Sequence, residues 1–307
     1  MTIRSAWQRR GRLLIAGVSL AAVLFAPWKI ELGRAESRHA PQAVTAGMIE
    51  NRKSDPQPAL DVTDYGRLLH TYVTDEGWVD YARLARERDE LNRFLDELGK
   101  ASPNGFKDNA DRLAFWINSY NAFSLADALD TVYGKHQSVR QVGGFFDGKR
   151  HLVAGEQLTL DEIERHGRDL HDPRIHFAIV CASASCPKLR RFAYTGEALN
   201  NQLDQVARQF FADQNRGLRF DPQKNELYVS PILKWYAGDF TGTSSSVGSF
   251  LGRVEATVSG SELFDFIGRY APAEIANRIK QNPPRLHYFD YDWSLNSLDT
   301  HASGAKR

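Results

Sequence analysis

The stretch Asp108–Gly134 reads DNADRLAFWINSYNAFSLADALDTVYG, and it decides the fold. Its apolar residues recur at helical spacing and cover much of the helix circumference, which is typical of a buried helix. Asp108 or Asn109 is a natural N-cap, and Gly134 is a natural stop. The stretch therefore predicts a long, largely buried helix around which the remaining elements pack.

Two asparagines, Asn118 and Asn121, stand three residues apart on this predicted helix. A buried amide costs free energy unless its donors and its acceptor all find partners. The two side chains are therefore either clamps on neighbouring backbone or the polar lining of a pocket. The sequence leaves both alternatives open.

The next informative stretch is Arg174–Pro187, RIHFAIVCASASCP. Its first half is rich in β-formers and predicts a buried strand over Arg174–Val180, followed by a turn of small residues. On a straight strand, residues five apart point to opposite faces and lie roughly 16 Å apart. His176 could then serve as a base for Cys181 only if the strand breaks between them, which leaves His287 and His151 as the other candidate bases.

Further extended segments are predicted at Leu218–Phe220, Leu227–Val229 and Arg285–Tyr291, between helical stretches. This order of elements predicts an α+β fold in which helices pack on a mostly antiparallel sheet.

Composition excludes several classes of protein. The chain has 307 residues, 39 Lys+Arg against 38 Asp+Glu, 42% hydrophobic residues and two cysteines. Collagen-like, disulfide-rich and wholly disordered chains have different compositions. The balanced charge argues against a nucleic-acid partner, which needs a basic face.

The N-terminus has the pattern of a targeting segment. Four arginines precede the uncharged run Leu13–Ala26, whose 14 residues suit a signal-peptide core better than a membrane span of roughly 20. We expect residues 1–35 to be a signal peptide or a membrane anchor over residues 13–30, and the protein to be exported to the periplasm or another extracytoplasmic compartment. Residues 36–59 are predicted to be a polar linker, 60–297 a single globular domain, and 298–307 a polar tail.

Several motifs together resemble the domain of unknown function 547 family over roughly residues 62–296. They are Val73 with Gly77–Tyr81, Phe115–Ala122, Thr159–Glu164, His176–Pro187 and the YDWSLN ending Tyr291–Asn296. The family is named for the absence of an assigned activity, so the resemblance implies a domain and not a reaction.

A second resemblance concerns architecture alone. The order of the Trp116–Tyr120 helix, a His176 segment and Asp290 or Asp292 is similar to that of transglutaminase-like and papain-like domains. It implies a core of that kind, with His176 oriented by one of the two aspartates. The helix start has no cysteine, so a nucleophile would have to come from Cys181 at the strand end.

The first functional hypothesis is a binding protein without turnover. A polar pocket around His176 and the Cys181–Pro187 turn would hold a peptide, a glycan or a small metabolite. Its polar contacts would be Asn118, Asn121, Ser183 and Ser185.

The second hypothesis is a cysteine-dependent hydrolase or acyltransferase. Cys181 would attack a carbonyl, His176 or His287 would carry the proton, and Asp290 or Asp292 would hold the imidazole. Backbone N–H groups of the turn, from Ala182 to Ser185, would stabilise the oxyanion.

The third hypothesis is a thiol/disulfide redox role for Cys181 and Cys186, since exported thiols tend to be oxidised. No cofactor and no metal are predicted, because His176 and the two cysteines lack the spacing and the fourth ligand of a zinc site. Phosphate-binding glycine loops, HExxH and GxSxG are absent from the sequence. The oligomeric state is left open.

Overall fold

The computed structural model describes residues 60–102, 105–243 and 260–304. The predicted leader over 1–35 and the linker over 36–59 lie outside the described residues. Among the described residues, no helix is long and apolar enough to cross a membrane.

Helices make up most of the described chain. In order along the chain they are α1 (Thr63–Tyr72), α2 (Tyr81–Leu84), α3 (Asp89–Lys100), α4 (Asn109–Thr131), α5 (Leu160–Arg168), α6 (Leu199–Ala212), α7 (Ile232–Trp235), α8 (Ala237–Thr241), α9 (Gly260–Tyr270), α10 (Ala273–Gln281) and α11 (Leu298–Gly304). Two 3₁₀ helices cover Val139–Gln141 and Pro173–Phe177.

The described strands form two small sheets. They are β1 (His151–Val153), β2 (Glu156–Leu158), β3 (Leu218–Asp221), β4 (Glu226–Val229) and β5 (Arg285–Tyr288). An antiparallel hairpin joins β1 and β2, and in the second sheet β4 pairs antiparallel with β3 and parallel with β5. The α+β prediction is confirmed, whereas these small sheets do not confirm a papain-like or transglutaminase-like core.

The centre of the fold is α4, as its sequence predicts. The side chain of Asp108 accepts hydrogen bonds from Ala110 N and Asp111 N, so it is the N-cap, and Gly134 has a φ of +71° just beyond the helix. Such caps satisfy backbone groups that a helix end leaves unpaired. All but the ends of α4 are buried, and α3, α5 and α6 pack around it.

The predicted strand over Arg174–Val180 is wrong. Pro173 begins a 3₁₀ helix that ends at Phe177, and Asp172 caps it by accepting from Arg174 N at 3.0 Å. The apolar residues of this segment are buried against helices and not in a sheet, so their β-propensity reports burial and not strand pairing. The separation of His176 and Cys181 expected for a straight strand therefore does not hold.

Part of the segment that was expected to be a polar tail, residues 298–307, forms a helix. Residues Leu298–Gly304 form α11, and the imidazole of His301 stacks on Trp78 with 3.8 Å between the ring centroids. Val79 forms a parallel bridge with Ser297 just before this helix. The end of the domain is therefore fixed to the segment that follows α1.

Candidate functional site

Residues 178–180 leave the 3₁₀ helix alongside α4 and take backbone partners from two of its side chains. The amide of Asn121 donates to Ala178 O at 3.0 Å and accepts from Val180 N at 2.8 Å. The hydroxyl of Ser124 donates to Val180 O at 2.9 Å. An asparagine side chain can replace a neighbouring strand because it offers one donor and one acceptor, as a peptide group does.

Asn118 acts in the same way one helical turn earlier. Its amide donates to Tyr194 O at 2.7 Å and accepts from Tyr194 N at 2.9 Å. Both asparagines are therefore backbone clamps, and the structure does not support the binding role that the pocket hypothesis gave them. Their side chains fix the two ends of the Cys181–Pro187 region against α4.

The Cys181–Pro187 turn is tied to the Tyr291–Asn296 segment, which explains why both carry motifs. Three backbone hydrogen bonds join them: Ala184 N to Ser294 O (2.8 Å), Ser185 N to Asp292 O (3.1 Å) and Asn296 N to Ala182 O (3.0 Å). The hydroxyl of Ser185 also accepts from Asp292 N at 2.9 Å. Ser185 thus has a structural role in this joint, and its role as a ligand contact stays a prediction.

Two of the backbone N–H groups that were predicted to stabilise an oxyanion, those of Ala184 and Ser185, are already hydrogen-bonded. The N–H groups of Ala184 and Ser185 donate to the C-terminal segment, and Cys186 N donates to Ser183 O at 3.1 Å. An oxyanion hole needs N–H groups that point into free space. The turn does not supply them at these positions.

The sulfur of Cys186 is the point on which the polar groups converge. It accepts from Cys181 N at 3.1 Å and from the Tyr291 hydroxyl at 3.2 Å, and it lies 3.2 Å from the Ser183 hydroxyl. Burial raises the pKa of the Cys186 thiol, but the hydrogen bonds from Cys181, Ser183 and Tyr291 lower that pKa to about 6. The thiolate is therefore the favoured form of Cys186 at neutral pH.

Cys181 has the opposite tendency. Burial and the neighbouring Cys186 raise the pKa of the Cys181 thiol well above its ordinary value. Its sulfur lies 3.2 Å from the Ser183 hydroxyl and 3.7 Å from the Tyr291 hydroxyl. The hydrogen-bond donors therefore favour the thiolate form at Cys186 over Cys181, the residue that the sequence analysis took as the candidate nucleophile.

One orientation of the protons satisfies all four groups. The Cys181 S–H donates to the Ser183 oxygen, Ser183 donates to the Tyr291 oxygen at 3.3 Å, and Tyr291 donates to the Cys186 thiolate. Hydrogen bonds to an ionised acceptor are stronger than those between neutral groups. The chain links a protonated thiol to a thiolate through two hydroxyls.

His176 is buried and held by aromatic rings and a carboxylate. Its imidazole stacks on Tyr236 at 3.7 Å between centroids, and Nε2 lies 2.7 Å from Asp239 Oδ2. Arg168 donates to both oxygens of the same carboxylate at 2.7 and 3.0 Å. This Arg168–Asp239–His176 network fixes the orientation of the imidazole.

Asp239 takes the place that the sequence gave to Asp290 or Asp292. Asp290 is exposed, and the exposed Asp292 uses Oδ1 to accept from Ser294 N at 2.9 Å. Asp239 lies on α8 within a stretch that carries no motif, so no spacing pattern could have identified it. Tyr291, the other residue that sequence reasoning missed, lies within the quoted YDWSLN motif and could have been found there.

The two alternative bases lie elsewhere. His151, on β1, places its Nε2 2.9 Å from Asp127 Oδ2 of α4, and its ring contacts that of Phe123. His287 lies on β5, 3.5 Å from Glu226. Neither lines the cavity that Cys181 and Cys186 share, whereas His176 does.

That cavity is small. His176, Cys181, Cys186, Tyr120, Glu164 and Tyr291 contribute to its walls, and its volume is about 30 Å³. A cavity of this volume holds about two water molecules, whereas ligand pockets typically measure about 300–1,000 Å³. In the described conformation, a peptide or a glycan does not fit beside the two thiols.

No group of three or more His, Cys, Asp or Glu side chains in the described part of the chain could hold a metal ion. The polar side chains that line the cavity include two thiols, the imidazole of His176 with its partner Asp239, the Glu164 carboxyl group and phenol hydroxyls.

Comparison with known proteins gives one family match, over the part of the chain that contains α4 and the thiol turn. Residues 104–211 match the family described as "Protein of unknown function, DUF547". This match supports a DUF547 domain over that part of the chain. The match is narrower than the resemblance over 62–296 predicted from the motifs; it runs from just before α4 through α6. It contains His176 and both cysteines, whereas Asp239 and Tyr291 lie beyond it. No significant match was found among curated proteins or solved structures.

Proposed function

We propose that this DUF547 protein performs thiol redox chemistry, with Cys186 as the reactive thiolate and Cys181 as the thiol that resolves it to a disulfide. The observation that carries the proposal is the convergence of Cys181 N, Tyr291 and Ser183 on the Cys186 sulfur. A thiolate beside a second thiol is the usual arrangement of redox-sensitive cysteines.

The sulfurs of Cys181 and Cys186 lie near each other, as a disulfide between them requires. Each lies 3.2 Å from the same Ser183 hydroxyl, so their separation is no larger than these two distances together. Both cysteines are free thiols. Five residues separate them in sequence, and a disulfide would close a short loop within the turn.

The size of the cavity favours a small oxidant. With room for about two water molecules, it accommodates hydrogen peroxide more readily than a peptide-sized carbonyl substrate. The Cys186 thiolate would attack one peroxide oxygen, which breaks the O–O bond, forms Cys186–SOH and releases hydroxide that is protonated to water.

The second step forms the disulfide. The Cys181 sulfur attacks the sulfur of Cys186–SOH, the S–O bond breaks, and a second water leaves with the Cys181 proton. In sum two thiols lose two electrons and two protons, and peroxide is reduced to two waters. Ser183 and Tyr291 lie where they can relay the proton, and an external dithiol would restore the reduced protein by exchange.

Export by residues 1–35 stays part of this proposal. Outside the cytoplasm a disulfide between Cys181 and Cys186 would persist, and a reductant of that compartment would have to reverse it.

The test is intact-mass analysis of the reduced full chain before and after hydrogen peroxide. We expect the wild type to lose two protons and to become resistant to iodoacetamide. Cys181→Ser should stop at a sulfenic acid that dimedone traps, and Cys186→Ser should react slowly if at all. Ser185→Ala, which removes a hydroxyl outside the thiol network, is the matched control. Equal reaction rates for Cys186→Ser and the wild type would overturn the proposal.

A second candidate is acyl transfer by Cys186, and the Arg168–Asp239–His176 network favours it. Here Cys186 would attack a carbonyl carbon, the leaving group would depart with a proton from His176, and water would hydrolyse the thioester. A chromogenic acetate ester tests it, because its small acyl group needs little space. His176→Ala should abolish ester hydrolysis and leave disulfide formation intact; the reverse outcome would assign His176 to the redox step.

A further inference from the structure

A second, much larger site lies on the other side of the segment that follows the thiol turn. It is a groove of about 650 Å³ between residues 188–192 and the exposed side of α6. Its volume lies within the range of small-molecule sites, about 300–1,000 Å³. The groove is lined by polar and charged side chains, in contrast to the cavity beside the thiols.

The wall formed by residues 188–192 is held in place from behind. Leu189 points into the core and is buried. Gly77, with a φ of +83°, packs so closely on this wall that a Cβ there would lie 2.8 Å from Lys188 Cα. The charged side chains of the segment are therefore presented on a fixed backbone.

Three cations line the groove, and only Arg191 has a carboxylate partner. Arg191 pairs with Asp75 at 2.8 Å and also donates to His70 O at 3.0 Å. Lys188 and Arg190 make no ion pair within the described ranges. Arg190 lies over the ring of Phe192 at 5.7 Å, and its Nε is buried without a hydrogen-bond partner.

The second carboxylate of the groove is already in use. Asp213 Oδ1 accepts from Asn215 N at 3.0 Å and from Arg216 N at 3.2 Å, where it caps the turn after α6. The groove thus contains two cations, Lys188 and Arg190, that form no ion pair with any of the residues that the structure describes.

The opposite wall supplies neutral donors. Gln205 and Gln209 lie one turn apart on the exposed side of α6, and neither side chain makes a hydrogen bond in the part of the chain that the structure describes. Amide groups in this position can hydrogen-bond the hydroxyl or carbonyl groups of a ligand whose charge is bound across the groove.

We infer that this groove binds a small organic oxyanion, with its carboxylate or phosphate group on Arg190 and Lys188 and its polar remainder against Gln205 and Gln209. A guanidinium presents paired donors that match both kinds of oxyanion. Arg190 lines the groove and forms no ion pair among the described residues, so its guanidinium is available to such a ligand. The inference does not depend on the redox chemistry proposed for Cys186.

Calorimetric titration of the full chain at low salt tests the inference with two probes, citrate for carboxylates and inorganic pyrophosphate for phosphates. We expect saturable one-site binding of at least one probe, and the stronger of the two identifies the oxyanion class. Arg190→Gln and, separately, Lys188→Gln should each weaken that binding about tenfold or more, since each removes a charge-assisted hydrogen bond.

Arg93→Gln is the matched control, because Arg93 is exposed on α3, outside the groove, and the substitution removes the same charge. It should leave binding within about twofold of the wild type, since Arg93 does not line the groove and makes no contact with a ligand bound there. Absence of saturable binding of both probes up to about 10 mM would overturn the inference. Equal weakening by Arg93→Gln and Arg190→Gln would also overturn it, because the attraction would then be general. If Arg190→Gln does not fold, the comparison of Lys188→Gln with Arg93→Gln tests the same inference.

Discussion

At the residue scale, the two cysteines of one turn have opposite chemistry because of the donors around them. The Cys186 sulfur accepts hydrogen bonds from the backbone N–H of Cys181 and from the Tyr291 hydroxyl. The Cys181 sulfur lies 3.2 Å from the Ser183 hydroxyl and 3.7 Å from the Tyr291 hydroxyl, and it shares both groups with Cys186. Donors stabilise a thiolate, and burial without enough of them stabilises a thiol. The donors around the two sulfurs therefore favour the thiolate at Cys186 and the protonated thiol at Cys181.

Ser183→Ala tests this account. It removes the hydroxyl that lies 3.2 Å from both sulfurs and donates to Tyr291, which in turn donates to Cys186, so the pKa of Cys186 should rise from about 6 toward that of an ordinary cysteine. The pH dependence of iodoacetamide labelling measures the change, with Ser185→Ala as the control. An unchanged labelling midpoint in Ser183→Ala would contradict the assigned network.

Asn121→Ala should destabilise the domain strongly. It leaves Ala178 O and Val180 N buried without their partner, at a cost of about 1–3 kcal/mol for each group. Urea unfolding measures the loss. Asn201→Ala on the exposed side of α6 is the control and should change the free energy of unfolding by no more than about 0.5 kcal/mol. Equal stability of the two variants would refute the clamp.

At the element scale, the segment that carries the site is irregular and is held by elements distant in sequence. The 3₁₀ helix Pro173–Phe177 positions His176, α4 clamps residues 178–180, and Tyr291–Asn296 fixes the turn. A regular strand over Arg174–Val180 would place His176 and Cys181 on opposite faces. The 3₁₀ helix allows both to reach one cavity.

Gly77→Ala tests the close packing of the segment after the turn. Gly77 and Gly134 both have positive φ, at +83° and +71°, so alanine should cost roughly 1–2 kcal/mol of strain at either position. Only at Gly77 would the new Cβ also meet backbone, 2.8 Å from Lys188 Cα; at Gly134 nothing lies within 4 Å. Thermal unfolding should therefore show a larger loss for Gly77→Ala than for Gly134→Ala. If Gly77→Ala lowers the melting temperature no more than Gly134→Ala does, the backbone at Lys188 can move to accommodate the new Cβ.

At the scale of the whole molecule, the thiol pair links the stability of the fold to pH. The pKa of Cys186 is lowered to about 6 in the folded chain, below the value of about 8.5 for an unfolded cysteine. Between these values the unfolded chain binds more protons, so this group adds stability as pH rises from 6 to 8.5, and the contribution is lost as pH falls through 6. The raised pKa of Cys181 acts in the opposite sense above pH 8.5, where the unfolded chain loses a proton that the folded chain retains.

Urea unfolding of the reduced protein at a series of pH values measures this linkage. The free energy of unfolding of the wild type, less that of Cys186→Ser, should increase from about pH 6 to about pH 8.5. The subtraction removes contributions from histidines that titrate in the same range. A difference that stays flat over this interval would show that Cys186 is not ionised in the folded protein.

Elements whose stabilising contacts are local could be predicted from the amino-acid sequence alone. The α4 helix could be predicted from its apolar periodicity and from Asp108, and α5 from Thr159 and Glu162, which form a capping box within one turn. The sequence also pointed to His176, the two cysteines and Ser183, because chemically reactive side chains stand out in a short stretch of small residues.

The contacts between these residues could not be predicted from the sequence, because they join positions that are far apart along the chain. Asp239 is 63 positions from His176 and Tyr291 is 105 positions from Cys186, and each pair forms through contacts that no local pattern encodes. The failed strand at Arg174–Val180 has the same cause, since β-branched residues are suited to any buried surface, and Asn121 and Ser124 supply the backbone partners that a sheet would have given. Local propensity specifies which segments are buried, whereas the long-range hydrogen bonds specify which sulfur becomes the thiolate.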